Sequence, residues 1–285
     1  MFRKIYSKFY FSNILMIMLS KLYLFYKIKI LKNRNYKNLI IKKEIDNNYL
    51  IYDGISKFKI YHLNKLPRYY RGLKFSQKGT IEGYGFNKYF NLPKGANVLN
   101  VGANIGEVAL GFLENDLNVI AVEADKIQFK ILNENKNFFL NNNNTKVFFD
   151  IFNTALSNET GKKEFYSRPI DNDSTLVKPN KDEEKKYKKQ IINTFTIDDL
   201  LYQYNVDLII GDVEGHEPEI LMGATNTLKK CKYVALDCSN EKNGLDTIDE
   251  TIHVLKSNNF KIVKRPEKFT RPVVIAQNNF INWDL

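Results

Sequence analysis

From Asn97 onward the chain repeats one rhythm: a short run of uninterrupted apolar residues, then a longer stretch of helical period. VLNV precedes IGEVALGFLEN, VIAVEAD precedes KIQFKILNENKNFFL, DLIIGDV precedes PEILMGATNTLKK, and YVALDCS precedes LDTIDETIHVLKSNN. Strands with no polar face must be covered on both sides. The pattern therefore predicts an α/β domain over residues 80–285, with a mostly parallel, doubly wound sheet. FKIVKR and PVVIAQN follow one another with no helix between them, which places an antiparallel strand near the C-terminus. VFFDIFNTAL reads as one strand and KKEFYS as a short one. Residues 36–79 read as a small β unit and connector. NLIIKKEI, YLIYDGI and FKIYHL alternate apolar and polar residues around the turn signals Asn47-Asn48 and Asp53-Gly54, and a basic, aromatic stretch follows. Residues 167–193 interrupt the rhythm with a turn-rich segment and the charged run KDEEKKYKKQ. It reads as a solvated loop or helix, with a lid beside the site as the sharper alternative.

Charge is distributed unevenly. The formal net charge is +11, and residues 1–43 contain eleven basic residues and no acidic one, so residues 44–285 balance to zero. A nucleic-acid-binding domain would carry its basic excess on the folded surface, so nucleic acid is disfavoured as a partner. Residues 1–35 are also strongly apolar. The charge-free run from Phe9 to Ser20 is too short for a spanning helix, and no cleavage pattern of a signal peptide follows it. The segment predicts a helix lying on an anionic membrane surface. A marginal anchor and a helix packed on its own domain or on a partner are the alternatives. Two cysteines, Cys231 and Cys238, exclude a disulfide scaffold and fit a reducing compartment. The expected location is the cytoplasm, peripheral at a membrane.

The most informative local motif is VLNVGANIGEVAL. A strand ends at Val101, a glycine-rich turn follows (Gly102-Ala103-Asn104-Ile105-Gly106), and a helix begins. In open α/β sheets ligands bind outside the carboxyl ends of the strands, where such turns lie. Counted from Gly102, the dinucleotide fingerprint would need glycines at Asn104 and Glu107, and no Gly-Lys-Ser/Thr marks a P-loop. A ligand without phosphates fits better, and S-adenosylmethionine is one. Glu123 ends the second apolar strand, where a carboxylate can accept hydrogen bonds from both hydroxyls of a ribose.

The motifs VGANIG, VIAVEAD, TALSNETGKKEFY, TFTIDDLL and, above all, GDVEGHEPEILMGA make the chain resemble the FkbM-type methyltransferases from about residue 68 to 265. The resemblance implies a Rossmann-like fold, S-adenosylmethionine as cofactor, and O-methylation of sugars or related polyol-bearing metabolites. It makes the Gly102–Gly106 turn (Gly102, Ala103, Asn104, Ile105, Gly106) and Glu123 contacts to that cofactor, with Ala155 and Leu156 beside its adenine. One departure stands out. The family usually has a lysine before the isoleucine-aspartate of its fourth strand, and here Ile210-Gly211 precede Asp212.

A sugar hydroxyl must lose its proton to attack a methyl group, so a base or a metal is expected near the acceptor. Asp212, Glu214 and His216 cluster after the fourth strand. His216 is the expected base, because its unperturbed pKa is near neutrality. Asp212 is expected to face the methionine amino group or the acceptor, and Glu214 to orient base or acceptor. A divalent cation held by Asp212 and Glu214 is an alternative. Glu217 and Glu219 read as helix-start acids that answer the helix dipole. The acceptor classes expected are a glycan, a lipid-linked saccharide or a related hydroxylated metabolite. A non-catalytic module of the same fold and a nucleic-acid methyltransferase are the competing functions.

Overall fold

The computed structural model describes residues 13–44, 48–143, 145–168, 173–267 and 271–281. Residues 1–12 of the basic segment, Asn47 of an expected turn, and residues 169–172 of the turn-rich insertion lie outside these ranges. Among the described residues the strands are β1 (Ile40–Lys43), β2 (Tyr49–Tyr52), β3 (Lys57–Ile60), β4 (Asn97–Val101), β5 (Asn118–Val122), β6 (Phe149–Phe152), β7 (Ala155–Leu156), β8 (Gly161–Ser167), β9 (Lys188–Phe195), β10 (Leu208–Asp212), β11 (Tyr233–Asp237), β12 (Phe260–Lys264) and β13 (Val273–Asn278). They form three sheets: β1-β2-β3, the seven-stranded β12-β13-β11-β10-β4-β5-β6, and β7-β9-β8.

In the large sheet β6, β5, β4, β10 and β11 run parallel. β13 is inserted antiparallel between β11 and β12, so the antiparallel strand near the C-terminus is present. The uninterrupted apolar strands bury both faces. Val98, Ala121, Ile210, Ala235 and Ile275 join one core cluster. Their chain neighbours Leu99, Ile120, Ile209, Val234 and Ala276 join the other, under the helices Glu217–Met222 and Ile248–Ser257.

Two expectations are corrected. VFFDIFNTAL is not one strand. β6 ends at Phe152, and Ala155–Leu156 leave the large sheet to pair in parallel with Thr194 and Phe195 of β9. The charged run KDEEKKYKKQ is a short helix, Lys181–Glu184, and then the start of β9. Four of the eight residues of β9 are exposed and only Thr194 is buried, so it shows no clear apolar face. Its antiparallel ladder with β8, from Gly161↔Thr194 to Ser167↔Lys188, holds it as a strand.

The N-terminal elements share the first core cluster with the large sheet. Leu24, Ile51, Phe58 and Ile60 lie in the same buried set as Val98 and Ile210. The helix Asn13–Phe25 turns Met16, Ser20 and Leu24 inward, one turn apart. Tyr70 donates its hydroxyl to Ser20 Oγ at 2.8 Å, and the rings of Tyr23 and Tyr70 lie 5.3 Å apart. Among the described residues no helix is long and apolar enough to cross a membrane.

Asn135, on the helix Lys126–Asn142, ties β3 to the glycine-rich turn. Its Oδ1 accepts from the Lys59 amide at 2.6 Å. Its Nδ2 donates to the Lys59 carbonyl at 3.0 Å and the Ile105 carbonyl at 2.8 Å. The side chain is 1% exposed, so truncation strands three buried backbone groups. Asn135→Ala is expected to lower stability by about 3 kcal/mol in urea unfolding. Asn142→Ala, on the exposed part of the same helix, should change it by under about 1 kcal/mol.

Candidate active site

β4 and β10 are adjacent and parallel, and their ends approach more closely than side chains allow. A Cβ on Gly211 would lie 1.8 Å from the Val101 carbonyl oxygen, and one on Gly102 would lie 1.8 Å from that of Asp212. Both glycines have positive φ, 154° and 61°, a region that glycine enters without strain. The two strand ends therefore interlock, and the loops that follow them open into one cavity of about 340 Å³. The family's lysine position is held here by Ile210, which is fully buried. Its register partner on β4 is Asn100, whose buried Oδ1 has no hydrogen-bond partner.

Glu123 shapes the cofactor end. Its Oε2 accepts the Asn104 amide and its Oε1 the Asp125 amide, both at 2.7 Å. Each oxygen keeps a lone pair directed elsewhere. The side chain is 5% exposed, and burial pushes its pKa up to about 7 despite those two bonds. Such a carboxylate, lining a cavity and short of donors, suits the two hydroxyls of a ribose. Gly102, Ala103, Asn104 and Ile105 line the cavity with it, and Ala155 and Leu156 add apolar lining. Gly106 caps the helix Glu107–Leu113 from beneath the turn. The residues present therefore fit S-adenosylmethionine.

Asp125 carried no signal in the sequence, whereas the polar run Asn172-Asp173-Ser174-Thr175 stands where the family resemblance sets a serine-containing loop near the acceptor. Asp125 caps the helix Lys126–Asn142 through the Ile127 amide. Its other oxygen accepts from Ser167 Oγ and, at 3.0 Å, from Ser174 Oγ. Thr175 Oγ donates to the Glu214 carbonyl at 2.8 Å. Asp173, Ser174 and Thr175 thus stand at the cavity wall; their neighbour Asn172 lies outside the described residues. Above the glycine turn, the 3-10 helix Leu63–Tyr69 closes the cavity. Tyr69 and Arg68 reach Glu107 at 2.6 and 3.1 Å, so the acid that argued against a pyrophosphate holds the cover in place.

The acceptor end is acidic. Asp212 and Glu214 both line the cavity. Burial and the nearby Asp237 carboxylate push the Asp212 pKa up to about 6. Burial and Asp212 push Glu214 much further up. Arg271 offsets part of this charge, donating to Asp237 at 2.7 Å while its guanidinium lies 3.9 Å from the Tyr84 ring centre. His216 also borders the cavity, but its nitrogens face protein. Nε2 lies 3.0 Å from the hydroxyl of fully buried Ser157, and Nδ1 lies 3.7 Å from Glu219. Burial holds its pKa down to about 4. Glu217 stands at a helix start as expected, yet it is completely buried. Its carboxylate accepts from the Gly215 amide at 3.1 Å and Thr247 Oγ at 2.5 Å, which folds the loop after β10 around it. Asp212 shares a carboxylate cluster of cation-binding dimensions with Glu217 and Glu241, their oxygens within 4.8 Å of one another. Glu214 is not a member of that trio.

The strand order, the inserted antiparallel strand and the cavity at the ends of β4, β5 and β10 define an α/β methyltransferase with S-adenosylmethionine as its cofactor. The chain belongs to the FkbM methyltransferase family, whose domain profile matches residues 100–262. Among solved structures, similar ones include the magnesium protoporphyrin IX methyltransferase of Synechocystis PCC 6803 with bound SAM. It is 11% identical, with a TM-score of 0.40, over 65% of this chain and 71% of that one. Another is a SAM-dependent methyltransferase from Aquifex aeolicus, 16% identical with a TM-score of 0.40, over 72% of this chain and 90% of that one. No curated protein matches the chain in sequence.

The raised carboxylates set a pH dependence. Asp212, Glu123, Glu217 and Glu241 have folded pKa values of about 6, 7, 7 and 8, all above their ordinary range. An acid with a raised folded pKa stabilises the fold below its unfolded pKa, and that contribution is lost as pH rises through the folded value. His216, with its lowered pKa, acts in the opposite direction below about pH 6.5 and offsets only one of the four. The melting temperature of the cofactor-free protein is therefore expected to fall steadily from about pH 5 to pH 8. Glu217→Gln should flatten that slope in thermal unfolding, by about 2 kcal/mol across the interval.

Proposed function

We propose that the enzyme transfers the methyl group of S-adenosylmethionine to a hydroxyl of a glycan or a related polyol-bearing metabolite. The observation that carries this reading is Asp212 at the acceptor end of the cavity, a carboxylate whose pKa is lifted to about 6. A base works best with a pKa near the working pH, and Asp212 is close enough to neutrality to be mostly ionised yet basic enough to accept a proton.

When bound, S-adenosylmethionine supplies a methyl carbon made electrophilic by its sulfonium. In this reading Glu123 would accept hydrogen bonds from the two ribose hydroxyls, and Gly102, Ala103, Asn104 and Ile105 would line the cofactor's place in the cavity. Ala155 and Leu156 cover the adenine. Asp212 would take the proton of the acceptor hydroxyl, whose oxygen would otherwise be a poor nucleophile toward the methyl carbon that the cofactor would supply. Glu214, Asp173 and Ser174 border the place where further acceptor hydroxyls would lie. The base role passes from His216 to Asp212 because His216 is held neutral, with Nε2 engaged by Ser157. His216 is then a positioning residue that fixes the segment after β7. Alignment of nucleophile, methyl and sulfur supplies much of the rate.

Glu123→Gln is expected to weaken S-adenosylmethionine binding by about tenfold or more in calorimetry, through loss of charge-assisted bonds to the ribose. Asp212→Asn should leave that affinity within about threefold and lower kcat by about 10²–10⁴-fold. Mass spectrometry of glycan and lipid extracts from cells with and without the gene should reveal an acceptor that differs by one methyl group. Equal turnover by wild type and Asp212→Asn would remove the proposed base.

A further inference from the structure

The helix Asn13–Phe25 has two apolar faces, and the protein uses one. Met16, Ser20 and Leu24 are buried against the body. Met18, Leu22 and Phe25 form a second stripe at i, i+4 and i+7, and they are 55%, 62% and 58% exposed. Tyr26, Ile30 and Leu31 continue the exposed apolar surface beyond the helix, and Ile40 is exposed on the outer strand β1. Lys21, Lys29, Lys32, Lys37, Lys42 and Lys43 are exposed among them. Across residues 1–43 no acidic side chain balances the eleven basic ones. Exposed apolar residues at this density mark an interaction surface. Exposed apolar side chains accompanied by exposed lysines, of which Lys42 also pairs with Glu44 at 3.4 Å, match the interface of an anionic bilayer: the apolar residues enter the acyl boundary and the lysines meet the headgroups.

We infer that this face docks the enzyme on an anionic lipid surface, with the helix lying in the membrane plane. The cavity is tied to the docked face. The helix bonds through Ser20 to Tyr70, and Tyr70 directly follows the 3-10 helix whose Arg68 and Tyr69 cover the cavity. A docked enzyme thus keeps its cofactor cavity a few residues from the headgroup layer. This deepens the functional proposal, on which it rests for its acceptor: among hydroxylated acceptors it selects saccharides carried on lipids. Both faces are satisfied together, because the inward stripe fixes the helix on the body while the outward stripe is presented to lipid.

The test uses the full chain in co-sedimentation with vesicles of phosphatidylcholine alone and of phosphatidylcholine mixed with phosphatidylglycerol. Binding is expected to be at least about tenfold tighter to the mixed vesicles and to weaken with added salt. Leu22→Asp combined with Phe25→Asp should reduce it by about tenfold or more, as should Lys21→Gln combined with Lys29→Gln and Lys32→Gln. Neither variant touches the cavity, so both should bind S-adenosylmethionine like the wild type, which shows that they are folded. Vesicle binding involves neither donor nor acceptor, so its failure leaves the methyl-transfer reading standing, and calorimetry with S-adenosylmethionine tests that reading separately. Equal partition to both vesicle types, undiminished binding by both variants, a dimer that dissociates in Leu22→Asp/Phe25→Asp without lipid binding, or salt-sensitive binding to RNA in place of vesicles would each overturn the inference.

Discussion

A single buried carboxylate organises the cofactor end of this enzyme. Glu123 receives one amide from the turn after β4 and another from the turn after β5, so the two loops are set by one side chain. The arrangement has an energetic consequence. Burial of this carboxylate outweighs the backbone amides that it accepts, and its pKa is raised to about 7. A ligand that brings hydroxyl donors relieves that deficit, so the site is poised for a ribose.

The acceptor end follows a different logic. Several carboxylates converge after β10 and β11, where Arg271 offsets part of their charge, and burial and mutual repulsion raise their pKa values. Glu217 is the structural member of the group, with the backbone of its own loop wrapped around it. Asp212 lies on the cavity side. One short segment, GDVEGHE, thereby supplies both a carboxylate that shapes the loop and one that lines the cavity.

The large sheet was legible because its strands are buried on both faces and its helices begin with recognisable turns. The glycine turn and Glu123 were legible for the same reason: both stand at strand ends, where chain position fixes spatial position. β9 was hidden because it is held by backbone pairing and shows no clear apolar face. The break between β6 and β7 was hidden because FDIF and AL are equally apolar and differ only in the strand they meet. Asp125, Ser174 and the clasp on Glu107 depend on contacts between residues 38 to 49 positions apart, which no local pattern encodes. The environment of His216 was hidden for the same reason: its type advertises a near-neutral pKa, whereas burial beside Ser157, 59 positions away, lowers it.

The hook formed by Asn135 bears on how such a protein changes over evolutionary time. Because one amide side chain completes both the edge of the small N-terminal sheet and the cofactor turn, the small sheet is not free cargo that recombination can exchange. Loss of β3 would leave half of that amide's bonding capacity unused in a dry interior beside the cofactor turn. Exchange of the small sheet would therefore disturb the turn that lines the cavity.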